Sequence, residues 1–301
     1  MPNHSKSPLI SVVIPSYNPN PHLFSRLYDS LQRQRLSDFE VLVVDDASSD
    51  TGAYECIDDP RFRIIRQPTN RGPAACRNRG AAEATGPNLF FTDTDCELTP
   101  ETLETAVERL VQDAIIMGNT VTRVETRLGR AIALLGFPGG GAIGFDKVWR
   151  VSPDGYTNSF SSCNLAFRKD LFEALGRFDE SFPVAGGEDT VLAYQATQRN
   201  IPIRYAPNML VYHVEKSDYA GFVRWQLTRG RGNYHIKRRV RNVGGYLRLR
   251  LWTFKNSLIA AGPGYALPVL LLILVSVYYQ LKGLRLEGKQ WEASQPAKKV
   301  D

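Results

Sequence analysis

Asp93-Thr94-Asp95 closes a short apolar run, Asn88-Leu89-Phe90-Phe91-Thr92. Such a run reads as a buried strand, so Asp93 and Asp95, one residue apart, emerge at its C-terminal tip. In open α/β sheets ligands sit outside that edge. Hard oxygen ligands suit Mg2+ or Mn2+, and those cations in turn hold phosphates. The triplet therefore points to a metal–diphosphate site; the competing reading is a solvated acidic turn.

Other residues of the right type recur at strand ends. Ile14-Pro15-Ser16-Tyr17-Asn18 leaves the first strand, with Tyr17 either stacked on a nucleobase or simply a surface tyrosine. At Val43-Val44-Asp45-Asp46-Ala47-Ser48, Asp46 is suited to accept from a base N–H or a ribose hydroxyl, or to cap a helix as Ser48 also can. The basic loop beginning Asn70-Arg71-Gly72 runs into a helix. Helix N-termini favour anions and Arg77 adds a fork of donors, which suits a nucleotide better than a bare sugar, unless this is a solvated basic turn. In Ala185-Gly186-Gly187-Glu188-Asp189 two glycines let backbone approach a ligand and two acids open a helix. One of them can take the proton from an acceptor hydroxyl if it lies near the metal site; acids are also favourable at any helix N-terminus. His213 ends the run Met209-Leu210-Val211-Tyr212, where an imidazole ligates a metal, touches a diphosphate, or is structural.

These groups need a sheet to position them, and the first half of the chain supplies one. Apolar runs at residues 9–15, 39–44, 61–66 and 88–92 alternate with helical spacing at 22–35 and 72–84. Thr99 and Pro100 read as the N-cap and first residue of a further helix. Strands alternating with helices imply an α/β architecture with a largely parallel sheet. Further on, 170–175 and 188–198 read as helices, and 203–205 and 209–213 as two strands. The glycine-rich stretch 136–144 reads as a loop, a mobile one over a site.

With 301 residues, 43% hydrophobic and 23% charged, the chain is long enough to bury a sizeable core. Four cysteines, at 56, 76, 96 and 163, form no Cys-x-x-Cys pair. That argues against zinc, and residues 1–6 lack the apolar core of a secretory signal; reduced thiols and a cytosolic catalytic part are the expectation. The net charge of +6 is local in origin: residues 219–256 carry ten Lys and Arg and no acid, so the rest is net negative. Such a stretch seeks an anionic surface. It abuts residues 257–281, which hold no charge at all. Gly262-Pro263-Gly264 interrupts them, and the remaining 265–281 spans about 25 Å as a helix, against roughly 30 Å of hydrocarbon. A short span or a re-entrant anchor follows, as against a buried soluble helix. Tyr246 to Trp252 alternates basic and apolar residues, suited to a headgroup layer. No nucleic-acid motif accompanies the basic run, so nucleic acid is not the expected partner.

In order along residues 9–232, these pieces resemble family-two glycosyltransferases with the GT-A fold, which are inverting and use nucleotide sugars. The resemblance rests on Val12 to Asn18, Val43 to Ser48, Asn70 to Gly80, Asp93-Thr94-Asp95, Phe178-Asp179-Glu180-Ser181-Phe182 with Gly186 to Asp189, and Gln226-Leu227-Thr228-Arg229-Gly230. It implies that Pro15, Tyr17, Asp46 and Arg77 hold the nucleotide, and that Asp93 contacts the ribose or donor sugar. It further implies that Asp95 binds the metal, Mg2+ or Mn2+, and that Asp189 is the base with Glu188 assisting the acceptor. His213 is expected as a second metal ligand by its residue type at a strand end, and Gln226 and Arg229 are expected to serve the acceptor or diphosphate. The family pattern carries Ala where Cys76 stands, and processive synthases carry Trp where Gly230 stands, which favours a distributive enzyme. The expected organisation is a catalytic domain over 1–218, a basic interfacial segment over 219–256, a membrane anchor over 257–281 that is removable with the polar tail 282–301, and a location on the cytoplasmic face of a membrane. The expected reaction is metal-dependent hexosyl transfer from a nucleoside-diphosphate sugar to a saccharide or lipid-linked saccharide hydroxyl. The alternative is a catalytically silent carbohydrate- or nucleotide-binding module of the same fold.

Overall fold

The computed structural model describes residues 7–182, 186–214, 216–240 and 243–294. Residues 1–6, Ala185, Arg241 and residues 295–301, named above, lie outside the described residues. The first half runs β1 (Ile10–Ser16), α1 (Pro21–Gln32), β2 (Phe39–Asp45), β3 (Phe62–Arg66), α2 (Pro73–Glu83), β4 (Asn88–Phe91), β5 (Cys96–Leu98), α3 (Thr102–Leu110) and β6 (Ile115–Arg123). Then come α4 (Arg127–Ala133), α5 (Phe145–Val148), β7 (Tyr156–Thr157), β8 (Leu165–Arg168), α6 (Lys169–Leu175), α7 (Glu188–Gln198), β9 (Ile203–Val214), α8 (Tyr219–Arg239) and α9 (Val243–Ser294).

One sheet orders the strands β3-β2-β1-β4-β8-β6-β9-β5, with β7 beside β9. Strands β3, β2, β1 and β4 are mutually parallel, as their alternation with helices requires. From β4 onward the sheet is mixed: β8 is antiparallel to both β4 and β6, whereas β9 is parallel to β6. The inner parallel strands are covered on both faces, so β1, β2 and β4 carry apolar residues on both sides of the sheet. Ile10, Val12, Ile14, Val41, Val43 and Phe90 point to the core under α1 and α3, where Phe24, Leu27 and Leu103 meet them. Val13, Leu42, Leu89 and Phe91 point the other way, to Phe172, Phe178 and Leu192 near α2, α6 and α7. Each such side chain contributes about 1.5–3 kcal/mol by leaving water.

Three expectations change in detail. α3 starts at Thr102, because the Thr99 carbonyl accepts the Thr102 N–H and holds Pro100 in a turn ahead of the helix. The two strands read over 203–213 are one, β9, interrupted only by a register shift against β6 at Gly118/Asn119. The stretch 136–144 is a loop but a tightly stitched one: Ala142 N–H donates to Ala133 O, and Gly141 O accepts from Thr122 N–H.

Beyond β9, α8 and the two halves of α9 form a three-helix layer. α9 breaks at Gly262 (φ 57°), the conformation that glycine adopts without strain, and Pro263 opens its second half. The first half runs back from the end of α8, donating Thr253 Oγ1 to Val148 O and Asn256 Nδ2 to Lys147 O. The second half rises parallel to α8: Ser276 and Gln280 meet Gln226, Glu287 meets Arg231 and His235, and Trp291 meets Arg238. The segment expected to be removable is therefore packed. Val269, Leu272 and Ile273 are buried with Phe222 of α8 and Ile132 of α4, and the helix continues through residue 294 into the expected polar tail. The alternating run around Arg250 is likewise packed rather than fully interfacial: that guanidinium lies 4.8 Å over Phe137 and 5.1 Å over Trp149. Much of the rest of the apolar surface stays bare, including Leu267, Leu271, Leu274 and Tyr278.

At Gly230, where processive synthases carry Trp, α8 lies backbone to backbone with α9: a β-carbon there would stand 2.2 Å from Gln280 O. Gly283 sits as close to Leu227 O from the other side. Gly230→Val should therefore destabilise the full chain by about 1–3 kcal/mol, the usual cost of overpacking; an unchanged urea midpoint would contradict this packing.

Candidate active site

The two acid pairs read from the sequence, one at a strand tip and one at a helix start, meet on a single guanidinium. Arg77, on α2 and almost fully buried, places Nη2 2.7 Å from Asp93 Oδ1 and Nη1 3.0 Å from Glu188 Oε1. Burial opposes its charge, but Asp93 and Glu188 outweigh burial and hold it firmly protonated. The fork expected to clasp a nucleotide is thus spent on two carboxylates. Glu188 is spent as well, since its Oε2 accepts the Gly186 N–H at 2.9 Å; it fixes the start of α7 rather than reaching outward.

Asp189 is placed differently. Its Oδ1 accepts the Thr190 N–H at 2.7 Å, and Oδ2 has no hydrogen bond among the described residues. Burial first, then the neighbouring Glu188, push its pKa up to about 6, while Thr190 N–H, Arg77 and Arg229 pull the other way. A carboxylate so tuned takes a proton near neutrality. Gly187 (φ 120°) permits the turn that delivers it; a β-carbon would also meet Phe182 at 2.8 Å.

The segment ahead of α7 is pinned from both sides. Asn78 of α2 donates to Phe178 O and Glu180 Oε1 and accepts the Phe178 N–H. Arg71 pairs with Glu180, and Arg239 of α8 pairs with Asp179. In the sequence these residues stand out only as a motif, because no local spacing announces contacts a hundred positions apart.

Asp95 and His213 come together through register. β5 pairs antiparallel with β9, Cys96 opposite His213, and Val214 N–H donates to Asp95 O. His213 Nδ1 lies 2.8 Å from Val214 O, which can only accept, so Nδ1 carries the hydrogen. Nε2 then faces Asp95 Oδ1 at 3.3 Å. Two lone pairs at that distance repel, so the pair takes a proton or a metal cation between them. Burial lowers the His213 pKa and Asp95 raises it, with a net upward shift. Cys96 Sγ also lies within 4.8 Å of both ligand atoms, which the spacing argument against a cysteine ligand did not foresee. Its thiol is held well above its usual pKa by the Cys163 thiol and by burial. Sulfur is a soft donor, and the Asp95 oxygen with the His213 nitrogen makes the harder pair that fits Mg2+ or Mn2+.

The nucleotide-side residues line the parallel half of the sheet. Pro15 stands in β1 opposite Val44, and Tyr17 beyond it is 56% exposed. Asn18 ties the two strand exits together, donating its N–H to Ser48 Oγ and accepting the Ser49 N–H. Asp46 is buried and accepts from Gln67, Arg71 N–H and Gly72 N–H; it organises the loop before α2 instead of standing open. Gln226 is turned away: its Oε1 accepts from Ser276 and Gln280 of α9. Arg229 lies 3.8 Å over the Phe137 ring.

Residues 11–176, more than half of the chain, match the family described as Glycosyl transferase family 2. An uncharacterized glycosyltransferase of Haemophilus influenzae is 33% identical over 115 residues, 36% of this chain and 45% of that protein. A GalNAc(5)-diNAcBac-PP-undecaprenol beta-1,3-glucosyltransferase of Campylobacter jejuni is 27% identical over 70% of this chain and 66% of its own. The chain spans less than half the length of the first curated relatives it matches. Among solved structures, the mannosyltransferase PcManGT of Pyrobaculum calidifontis with GDP-Man and Mn2+ aligns at a TM-score of 0.56 and 22% identity, over 95% of this chain and 84% of its own. GalNAc-T7 with UDP, GalNAc and Mn2+ aligns at 0.56 and 16%, over 69% of this chain and 44% of its own. Both likenesses concern the fold, which is GT-A.

Arg77→Met should strand two buried carboxylates and cost about 3–5 kcal/mol; a urea midpoint equal to that of the parent would remove the bridge from its central role. In manganese titrations followed by electron paramagnetic resonance, Asp95→Asn and His213→Ala should abolish saturable binding and Cys96→Ser should retain it. Retention in both of the first two variants would rule out this cation site.

Proposed function

The chain belongs to glycosyl transferase family 2, and from that premise we propose that it moves a sugar, with inversion, from a nucleoside-diphosphate sugar to a saccharide hydroxyl. The observation that carries this reading is the Arg77 bridge, which ties Glu188, the neighbour of Asp189, to the same guanidinium as the strand-tip Asp93. A phosphate acceptor is already an anion and needs no base; a hydroxyl does. A carboxylate tuned to about 6 therefore speaks for a hydroxyl acceptor.

In this mechanism Tyr17 stacks on the base, and the loop that Asp46 holds forms the pocket wall. Asp93, still 29% exposed beside Arg77, contacts the ribose or donor sugar. Asp189 Oδ2 receives the acceptor proton as the acceptor oxygen attacks the anomeric carbon from the face opposite the diphosphate. Glu188 and Arg77 position Asp189 and contribute no atom to the exchange. Asp95 and His213 would hold a divalent cation, whose chemistry there would be to offset charge on the departing diphosphate. The nucleotide sugar or nucleotide and the Mn2+ carried by the two structural neighbours support this assignment of donor and metal.

The same reading extends to a membrane. α9 is long and apolar enough to cross one by length and composition, and its bare leucines adjoin the basic α8. We assign residues 219–294 to docking on a bilayer, at the cytoplasmic face, where the free cysteines stay reduced. The undecaprenol-linked substrate named for the Campylobacter relative supports a lipid-linked saccharide as acceptor.

A panel of nucleotide sugars, scored for Mn2+- or Mg2+-dependent release of nucleoside diphosphate, tests the function directly; no release from any donor would leave only the silent module. Asp189→Asn should keep donor and metal binding and lose about 10²- to 10⁴-fold in transfer rate. Since Asp189 acts as a carboxylate and becomes protonated below about 6, transfer should fall as pH drops through that value and level off above it. A kcat/KM profile flat from pH 5 to 8 would exclude Asp189 as the base.

A further inference from the structure

α9 is long and apolar enough to cross a membrane, yet both ends of its uncharged stretch are fastened to one folded body. At the near end Ala261, Val269 and Leu272 are buried with Ala131, Ile132 and Leu135, in and just after α4. At the far end Glu287 pairs with Arg231 and His235 of α8, and Arg239 of α8 pairs in turn with Asp179 ahead of α7. Between the two ends Ser276 and Gln280 meet Gln226, and Gly283 lies against the backbone of Leu227. These contacts recur every three or four residues, so they occupy one face of the helix. The opposite face carries Leu267, Leu270, Leu271, Leu274, Tyr278 and Leu281, between 42% and 65% exposed. The same spacing continues into Arg285 and Lys289, both exposed. Leu247 and Leu251 of the first half line one groove with Val277 and Leu281, and their exposed side chains widen the apolar patch.

We infer that α9 does not cross the bilayer but lies in its plane, inserting this stripe into a single leaflet with anionic headgroups. The inference rests on the membrane reading above and specifies how the chain meets lipid. A crossing helix would set its α4 contacts and its α8 ion pairs on opposite sides of the hydrocarbon. One set would then be torn away, or α8 would follow α9 into lipid with Arg224 and Arg231, where such charges are costly. An in-plane helix keeps every contact and still sinks its bare face about 5–10 Å into the leaflet. The sign of the headgroups follows from the flanks. Residues 219–286 hold no Asp or Glu, and exposed Lys255, Lys282, Arg285 and Lys289 border the stripe, which complements an anionic surface. A second copy of the chain would set these cations against their own kind.

The test follows the full chain in inverted inner-membrane vesicles of the expressing cell. One label site is the native Cys56, which is exposed; Lys255→Cys and Lys289→Cys are added singly. A membrane-impermeant maleimide should reach all three positions without detergent. A label at position 289 that needs detergent while Cys56 does not would overturn the inference and leave the membrane reading standing. Binding to phosphatidylcholine vesicles that contain phosphatidylglycerol gives a second readout. Leu271→Glu and Leu274→Glu should each weaken it about tenfold, with unfolding midpoints equal to the parent because both side chains are exposed. Undiminished binding in both variants, or equal binding to vesicles of phosphatidylcholine alone, would also overturn the inference. A chain that binds no vesicle, whether monomeric or with a second copy over the stripe, would sink it together with the membrane reading.

Discussion

The acid pair at the start of α7 and the strand-tip Asp93 hang together on one buried cation. Arg77 joins a residue from the end of the parallel sheet to one from the start of a helix almost a hundred positions later. A buried guanidinium needs two acids here: burial penalises its charge, and Asp93 and Glu188 together outweigh that penalty. The consequence is division of labour between adjacent acids. Glu188 is consumed in holding the arrangement, so Asp189 can remain open, poorly solvated and ready for a proton. Like-charge neighbours with different surroundings acquire different tasks.

The cation site depends on a different constraint, the pairing register of β5 with β9. A slip by one residue would turn every side chain of β5 to the other face and separate Asp95 from His213. The hydrogen bond of His213 to the next carbonyl completes the arrangement, because it fixes which ring nitrogen is left for a cation. The outer contact therefore decides the chemistry of the inner one.

Much of this was readable from residue order, and the unread part has a common cause. The strands ending at Ser16, Asp45 and Phe91 announce themselves by apolar runs, and the acids after them by position, because both signals are local. Asp46, Arg77, Glu188 and Gln226 were all singled out, yet the partners that occupy their polar atoms come from the loop before α2, from Asp93, from Gly186 and from α9. Such partners depend on tertiary packing and leave no periodic trace. The glycines at 136–144 read as freedom and turn out to be close packing against α4 and β6. The uncharged stretch 257–281 reads as a detachable anchor for the same reason: its leucines look alike whether they face lipid or Phe222.

One contact of α8 remains to be followed outward. Gly232 lies so close to Gly186 that a β-carbon would stand 2.0 Å from its carbonyl oxygen, and two positions earlier Gly230 touches the backbone of α9 as closely. Main chain meets main chain at both steps, with no compliant side chains between. A displacement of the outer helix would thus be passed on by backbone contact, with no side-chain rotamers between to absorb it. Its endpoint is the glycine pair that precedes Asp189, so the seating of the outer helix bears on where α7 begins.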